Sequence, residues 1–153
     1  MIVTFVGHRT IGDYKEIFDK VKKYILCNFP YDEQICFYCG GYGDFDNLCA
    51  AVCMSIKKQR SGVEVVYVTP YMTLSHQAVM QQLIDGGVYD SVLYPPLENV
   101  LPRFAISERN KWMVDCADVI IAYVHRGYGG AYKTLAYAQR KNKKVINLAN
   151  GCV

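Results

Sequence analysis

Residues 35–46 read Ile35-Cys36-Phe37-Tyr38-Cys39-Gly40-Gly41-Tyr42-Gly43-Asp44-Phe45-Asp46. A short run of β-branched and aromatic residues stops at a glycine-rich turn, and a helical period starts at once with Phe45, Leu48, Cys49, Val52, Cys53 and Ile56. The apolar run is continuous, as in a strand covered on both faces, and the glycines let the chain turn sharply into a helix. This is the strand-turn-helix unit of an α/β fold.

The same grammar repeats outward. Ile2 to Val6, Val63 to Val68, Ser91 to Leu93, Val119 to Val124 and Val145 to Leu148 read as further short strands. Helices are expected between them, with Tyr14, Ile17, Phe18, Val21 and Ile25 inward in the first. Another is expected from about Arg103 to Cys116, with Ala105, Trp112, Met113 and Cys116 on one face, and a last one after Gly130 with Leu135 and Ala138 inward. Residues 69–102 hold prolines and glycines and only a loose period over Leu74 to Ile84, which predicts a short helix and a loop. The expected fold is a Rossmann-like, doubly wound, mostly parallel sheet with helices on both faces, one domain over residues 1–153.

Composition sets limits. The 153 residues are 52% hydrophobic and 20% charged, enough apolar content for a buried core and unlike a disordered chain. Net charge is only +3, so no clustered basic surface marks a nucleic-acid binder, and nucleic acid is not expected as a partner. No apolar stretch approaches the roughly 20 residues of a membrane helix. A strand-like run begins at Ile2, so no targeting segment and a cytoplasmic location are expected. Seven cysteines, an odd number, suit a reduced compartment. Cys36 and Cys39 form a CxxC without a second pair at zinc-ribbon spacing, so the thiols read as small core residues; neither metal nor cofactor is expected.

In an open parallel sheet, ligands bind at the edge formed by the carboxyl ends of the strands. The segments expected there are Gly7-His8-Arg9, Gly40-Gly41-Tyr42-Gly43-Asp44-Phe45-Asp46, Thr69-Pro70-Tyr71 and His125-Arg126-Gly127-Tyr128-Gly129-Gly130. Two glycine turns opening helices offer backbone N–H groups and positive helix-dipole ends, which suit phosphate. His8, Arg9 and Arg126 add side-chain donors. Asp44 and Asp46 are natural caps for the second helix, and Asp46 could instead accept from a ribose hydroxyl. Arg109 falls on the inward stripe of its helix and needs an anion, either a ligand or one of Asp115, Asp118 and Glu98. Asn110 follows it. Tyr42, Tyr71, Tyr128 and Tyr132 stand where a base could stack.

Taken in order, Gly7-His8-Arg9, the 40–46 turn, Arg109-Asn110 with Met113-Val114-Asp115 and Ala117-Asp118, and Gly129-Gly130 with Thr134-Leu135-Ala136-Tyr137-Ala138 resemble the SLOG superfamily. They look most like its YpsA-like branch, with Lonely Guy phosphoribohydrolases and DprA as more distant relatives. The resemblance implies a Rossmann-like homodimer binding a nucleotide or nucleotide-derived ligand through Gly7, His8, Arg9, Gly40, Gly41, Gly43, Asp44, Asp46, Arg109, Asn110, Gly129, Gly130, Tyr132 and Thr134. It also implies an alternative, hydrolysis of the N-glycosidic bond of a nucleoside 5′-monophosphate. Lonely Guy enzymes carry a catalytic Glu shortly after their glycine turn. Here the run Gly129-Gly130-Ala131-Tyr132-Lys133-Thr134-Leu135-Ala136-Tyr137 has no carboxylate; Asp46 or Asp44 from the facing loop could take its place, and Asp46 is the candidate catalytic group for this alternative.

Overall fold

The computed structural model describes residues 1–150. Its elements are β1 (Ile2–Gly7), α1 (Tyr14–Asn28), β2 (Ile35–Cys39), α2 (Asp44–Lys57), β3 (Val63–Val68), α3 (Leu74–Asp85), β4 (Ser91–Leu93), α4 (Ala105–Cys116), β5 (Val119–Tyr123), α5 (Gly129–Arg140) and β6 (Lys144–Asn147). Short 3-10 turns cover Pro102–Phe104 and Leu148–Asn150.

Among the described residues six strands form one sheet in the order β4-β3-β2-β1-β5-β6, and every pair is parallel. The chain steps outward from β1 to β4 and then returns to lay β5 on the other side of β1. The reversal therefore falls between β1 and β5, where the connections leave a crevice at the carboxyl ends of the strands.

Helices cover both faces. On one, Ile17, Val21 and Ile25 of α1 and seven buried residues of α2 pack on Val3, Phe5, Phe37 and Val65. On the other, Val114, Leu135 and Ala138 of α4 and α5 pack on Val6, Ile120 and Ala122. The central strands thus send alternate side chains into two apolar layers, the physical source of their largely apolar sequences. Cys36 and Cys39 fall on opposite faces for the same reason, since an odd offset along a strand reverses the side.

Some inward assignments shift. Tyr14 is exposed and Phe18 half-buried, because α1 buries only its central stripe. In α4 the buried set is Ala105, Arg109, Met113 and Val114. Trp112 and Cys116 are only half-buried, with Trp112 stacking on Tyr38 at the edge of the layer. None of the described helices is long and apolar enough to cross a membrane.

Candidate functional site

At the reversal, a cavity of about 230 Å³ opens between the end of β1, the β2–α2 turn, α4 and the start of α5. Gly7, Arg9, Gly40, Asp46, Arg109, Asn110, Gly130 and Thr134 of the expected set line it together. His8, Gly41, Gly43, Asp44, Gly129 and Tyr132 do not.

Arg109 is the center of this arrangement. It is 1% exposed, and its Nη1 donates to the carbonyl oxygens of Gly40 at 2.6 Å and Val68 at 2.7 Å. Those two bonds clamp the ends of β2 and β3. Its Nε has no partner, and no ion pair joins it to a carboxylate among the described residues. A buried cation that makes its hydrogen bonds to carbonyl dipoles and has no carboxylate in direct contact is only partly balanced. Burial pulls its pKa below the ordinary guanidinium value, while the nearby Asp46 acts the other way.

Asp46 therefore replaces Asp115, Asp118 and Glu98 as the acid facing Arg109. Asp115 accepts from the Tyr137 hydroxyl and Asp118 from the Ile2 N–H, which ties both to the far end of α4. Asp46 Oδ2 and Arg109 Nη1 both lie within 3 Å of the point that a Cβ on Gly40 would occupy, at 2.8 and 2.9 Å. Glycine at 40 is what lets the two side chains converge. Asp46 is half-buried as a residue, and its carboxyl is enclosed. Burial pushes its pKa up to about 6, opposed by the Arg109 charge and by the Tyr42 N–H that donates to Oδ2 at 3.0 Å.

The helix starts are not alike. Asp13 caps α1 by accepting from the Glu16 N–H, and Thr73 caps α3 by accepting from the His76 N–H. The first turns of α2 and α5 carry no side-chain cap, nor does that of α4, which continues from the 3-10 turn at Pro102–Phe104. At α2 this corrects the reading of Asp44 and Asp46 as caps, because Gly43 occupies the cap position. Asp44 faces back to accept from the Ile11 N–H at 3.4 Å, and its own N–H donates to the Arg9 carbonyl. At α5, Gly129 has φ +89°, and added Cβ atoms on Gly129 and Gly130 would meet nothing within 4 Å. That leaves orphan N–H donors and the positive dipole end beside the cavity that Arg109 lines.

Two expected residues serve the frame. Nε2 of buried His8 accepts from the backbone N–H groups of His125 at 3.1 Å and Arg126 at 3.3 Å, which fixes the β5–α5 loop. Accepting two N–H groups requires a neutral ring, and burial, His125 and Arg126 all lower its pKa. His8 is thus no cationic donor at that nitrogen. Gly7 admits Phe45, whose ring atoms lie 2.1 to 2.2 Å from where a Cβ would sit. Tyr128 and Tyr132 are exposed outside the cavity.

Sequence reasoning passed over His76 entirely and read Tyr42 only as a residue near the edge. The Tyr42 ring lies beneath the Arg109 guanidinium at 5.5 Å, and its hydroxyl bonds His76 Nε2 at 3.2 Å. Its place inside a glycine turn was the available signal for Tyr42; nothing local marks His76.

No family model and no curated protein matches the chain. Among solved structures, DNA processing protein A (DprA) of Streptococcus pneumoniae superposes with a TM-score of 0.64 over 94% of this chain, at 17% identity. The chain folds like DprA. DprA of Helicobacter pylori, whose structure concerns single-stranded DNA binding, gives 0.64 over 95% of this chain at 14% identity. This chain covers 48% and 63% of those two DprA chains, so it matches a part of each. TM1055, a structural genomics target, gives 0.57 over 94% of this chain and 71% of its own, at 14% identity. The expectation that nucleic acid is not a partner finds no support beside a DprA that binds single strands.

Proposed function

We propose that this chain is a single SLOG-type domain, closest to the YpsA-like branch, which binds a nucleotide or nucleotide-derived small molecule at the carboxyl edge of its sheet. It acts as a cytoplasmic binding or sensing module, as a homodimer and without metal or cofactor. The observation that carries this reading is Arg109: a buried cation, without a direct acid and with an unpartnered Nε, beside the uncapped start of α5. That combination supplies fixed positive potential in a small enclosed space, the environment a phosphate group needs. Arg9, Asn110 and Thr134 contribute at its rim.

Asp46 favors a second reading. A carboxyl raised to about 6 in a cavity wall can hold or give a proton near neutral pH, as a nucleoside 5′-monophosphate N-glycosidase requires. Its protonated form could protonate a departing base, and its ionized form could stabilize an oxocarbenium-like center.

One experiment tests both. The purified protein is incubated with the four ribonucleoside 5′-monophosphates and a short oligothymidylate, and mass spectrometry scores retained ligand and released base. Retained intact nucleotide, lost in Arg109→Met, supports the binder. Base release that disappears in Asp46→Asn while binding persists supports the hydrolase. Retention unaffected by Arg109→Met, or no retention and no release at all, overturns the assignment of the site.

A further inference from the structure

A larger cavity, about 680 Å³, lies between α2 and α3 on the other side of the Tyr42 ring. Its lining is mostly apolar: Ala51 and Met54 from α2, Val79 and Leu83 from α3, and Tyr67 stacked on Tyr89 at 5.2 Å beneath them. Tyr42 lines both spaces. Between them the chain is bare backbone, for Gly40 lines one space and Gly41 the other. At Gly41, φ is +69° and a Cβ would come 2.5 Å from the Tyr67 ring, so conformation and space both exclude a side chain on the ridge.

The two volumes differ in chemistry as well as size. The smaller, at about 230 Å³, is below the roughly 300–1,000 Å³ that encloses a drug-sized molecule, and its walls carry Arg109, Asp46 and Arg9. It has room for a phosphate or phosphoribosyl group but not for a whole nucleotide. The larger space is apolar and aromatic, with His76 and the Tyr42 hydroxyl at its side.

α3 forms the outer wall of this groove with little packing of its own, burying only Met80. His76 ties it to the glycine turn through Tyr42, and Thr73 Oγ1 lies 3.3 Å from His76 Nδ1. These bonds fix the position of the imidazole at the groove wall and leave the Tyr42 hydroxyl able to hydrogen-bond outward.

We infer that the groove between α2 and α3 is the subsite for the uncharged aromatic half of the ligand whose anionic group lies at Arg109, with Tyr42 as the shared wall. This inference rests on the phosphate-site reading above. A nucleobase fits the chemistry: flat faces against Tyr67 and Met54, and polar edges within reach of a hydroxyl and an imidazole. The base can come from a mononucleotide or from one nucleotide of a single strand.

The test is isothermal titration of the intact protein with ribose 5-phosphate, with AMP, GMP, CMP and UMP, and with an eight-residue oligothymidylate. At least one monophosphate, or the oligonucleotide, is expected to bind tenfold or more tightly than ribose 5-phosphate. Ala51→Trp and Val79→Trp fill the groove from either side, Val79 being 54% exposed and tolerant of replacement. Both should erase that advantage and leave the ribose 5-phosphate Kd within twofold of wild type. An advantage confined to the monophosphates, or to the oligonucleotide, identifies the source of the base. If ribose 5-phosphate binds but no base adds affinity, or if both tryptophan variants keep the full advantage, the groove assignment is overturned and the phosphate site stands. If neither ribose 5-phosphate nor any nucleotide binds, the phosphate site falls and the groove assignment with it.

Discussion

Five helices begin at the same edge of the sheet; α4 continues from the 3-10 turn at Pro102–Phe104, and the other four, α1, α2, α3 and α5, begin in two ways. α1 and α3 close their first turns with Asp13 and Thr73. α2 and α5 start on glycine turns without a side-chain cap. A cap is worth about 1 kcal/mol to a helix. Its absence at α5, next to the cavity that holds Arg109, gives up local stability and leaves N–H donors for something outside the chain. The same edge therefore holds two starts built for folding and one aimed at the cavity. α2 is the mixed case, since Asp44 and Arg9 tie its first turn to the loop after β1.

The largest effect that could break this contrast is at Arg109. Arg109→Met should weaken ribose 5-phosphate binding a hundredfold or more by titration calorimetry, roughly 3 kcal/mol. The melting temperature should change far less, because the variant removes a costly buried charge along with its two carbonyl contacts. A large drop in melting temperature with unchanged affinity would make Arg109 a structural clamp only.

Asp46 gives the next effect, read as stability against pH. Its folded pKa is raised to about 6 from 3.8, so the folded state favors the protonated acid. That contribution is fully present below about pH 4, is lost as pH rises through 6, and is on the order of 3 kcal/mol. Urea unfolding at pH 4.5 and 7.5 should show this fall, and Asp46→Asn should flatten it. A wild-type curve parallel to that of Asp46→Asn would remove the case for a raised carboxyl. His8 has the opposite sign, since its lowered pKa makes its contribution present above about pH 6.5 and lost on acidification.

Gly130→Leu sharpens the comparison from the other side. A Cβ there meets nothing in the protein, so unfolding free energy should stay within about 1 kcal/mol of wild type. Ribose 5-phosphate affinity should drop about tenfold, because the new side chain stands before the α5 N–H groups. The smallest effect belongs to the capped start: Asp13→Ala should cost about 1 kcal/mol of stability and leave affinity unchanged. Equal affinity losses in both variants would erase the distinction between the two kinds of start.

Much of the fold is legible in the chain because two-sided burial writes itself into short stretches. Val119 to Val124 is apolar throughout and Val63 to Val68 is apolar except for the exposed Glu64, since each strand faces two layers, and all six inward residues read for α2 are buried. α3 is the counterexample. Its period is loose because it buries a single residue, and that poor packing is the groove itself. The site is partly legible by the same logic, as glycine turns after strands point to the edge. The roles within it are not, since capping by Asp44 and charge on His8 are plausible locally and are overruled by partners at Ile11 and at residues 125 and 126.

The sequence by itself determined the alternation of strands and helices, the edge where the loops gather and the inward course of Arg109, because each depends on residues within a few turns of one another. Only the tertiary structure decided that Asp46, 63 positions before Arg109 (109 − 46), is the acid that faces it. It also decided that Tyr42 stands between a charged cavity and an apolar one. Such pairings arise from the order of strands in the sheet, where β1 and β5 become neighbors across more than a hundred residues of chain. Local periodicity carries no record of that order, because a helix face specifies that it is covered and not which residue covers it.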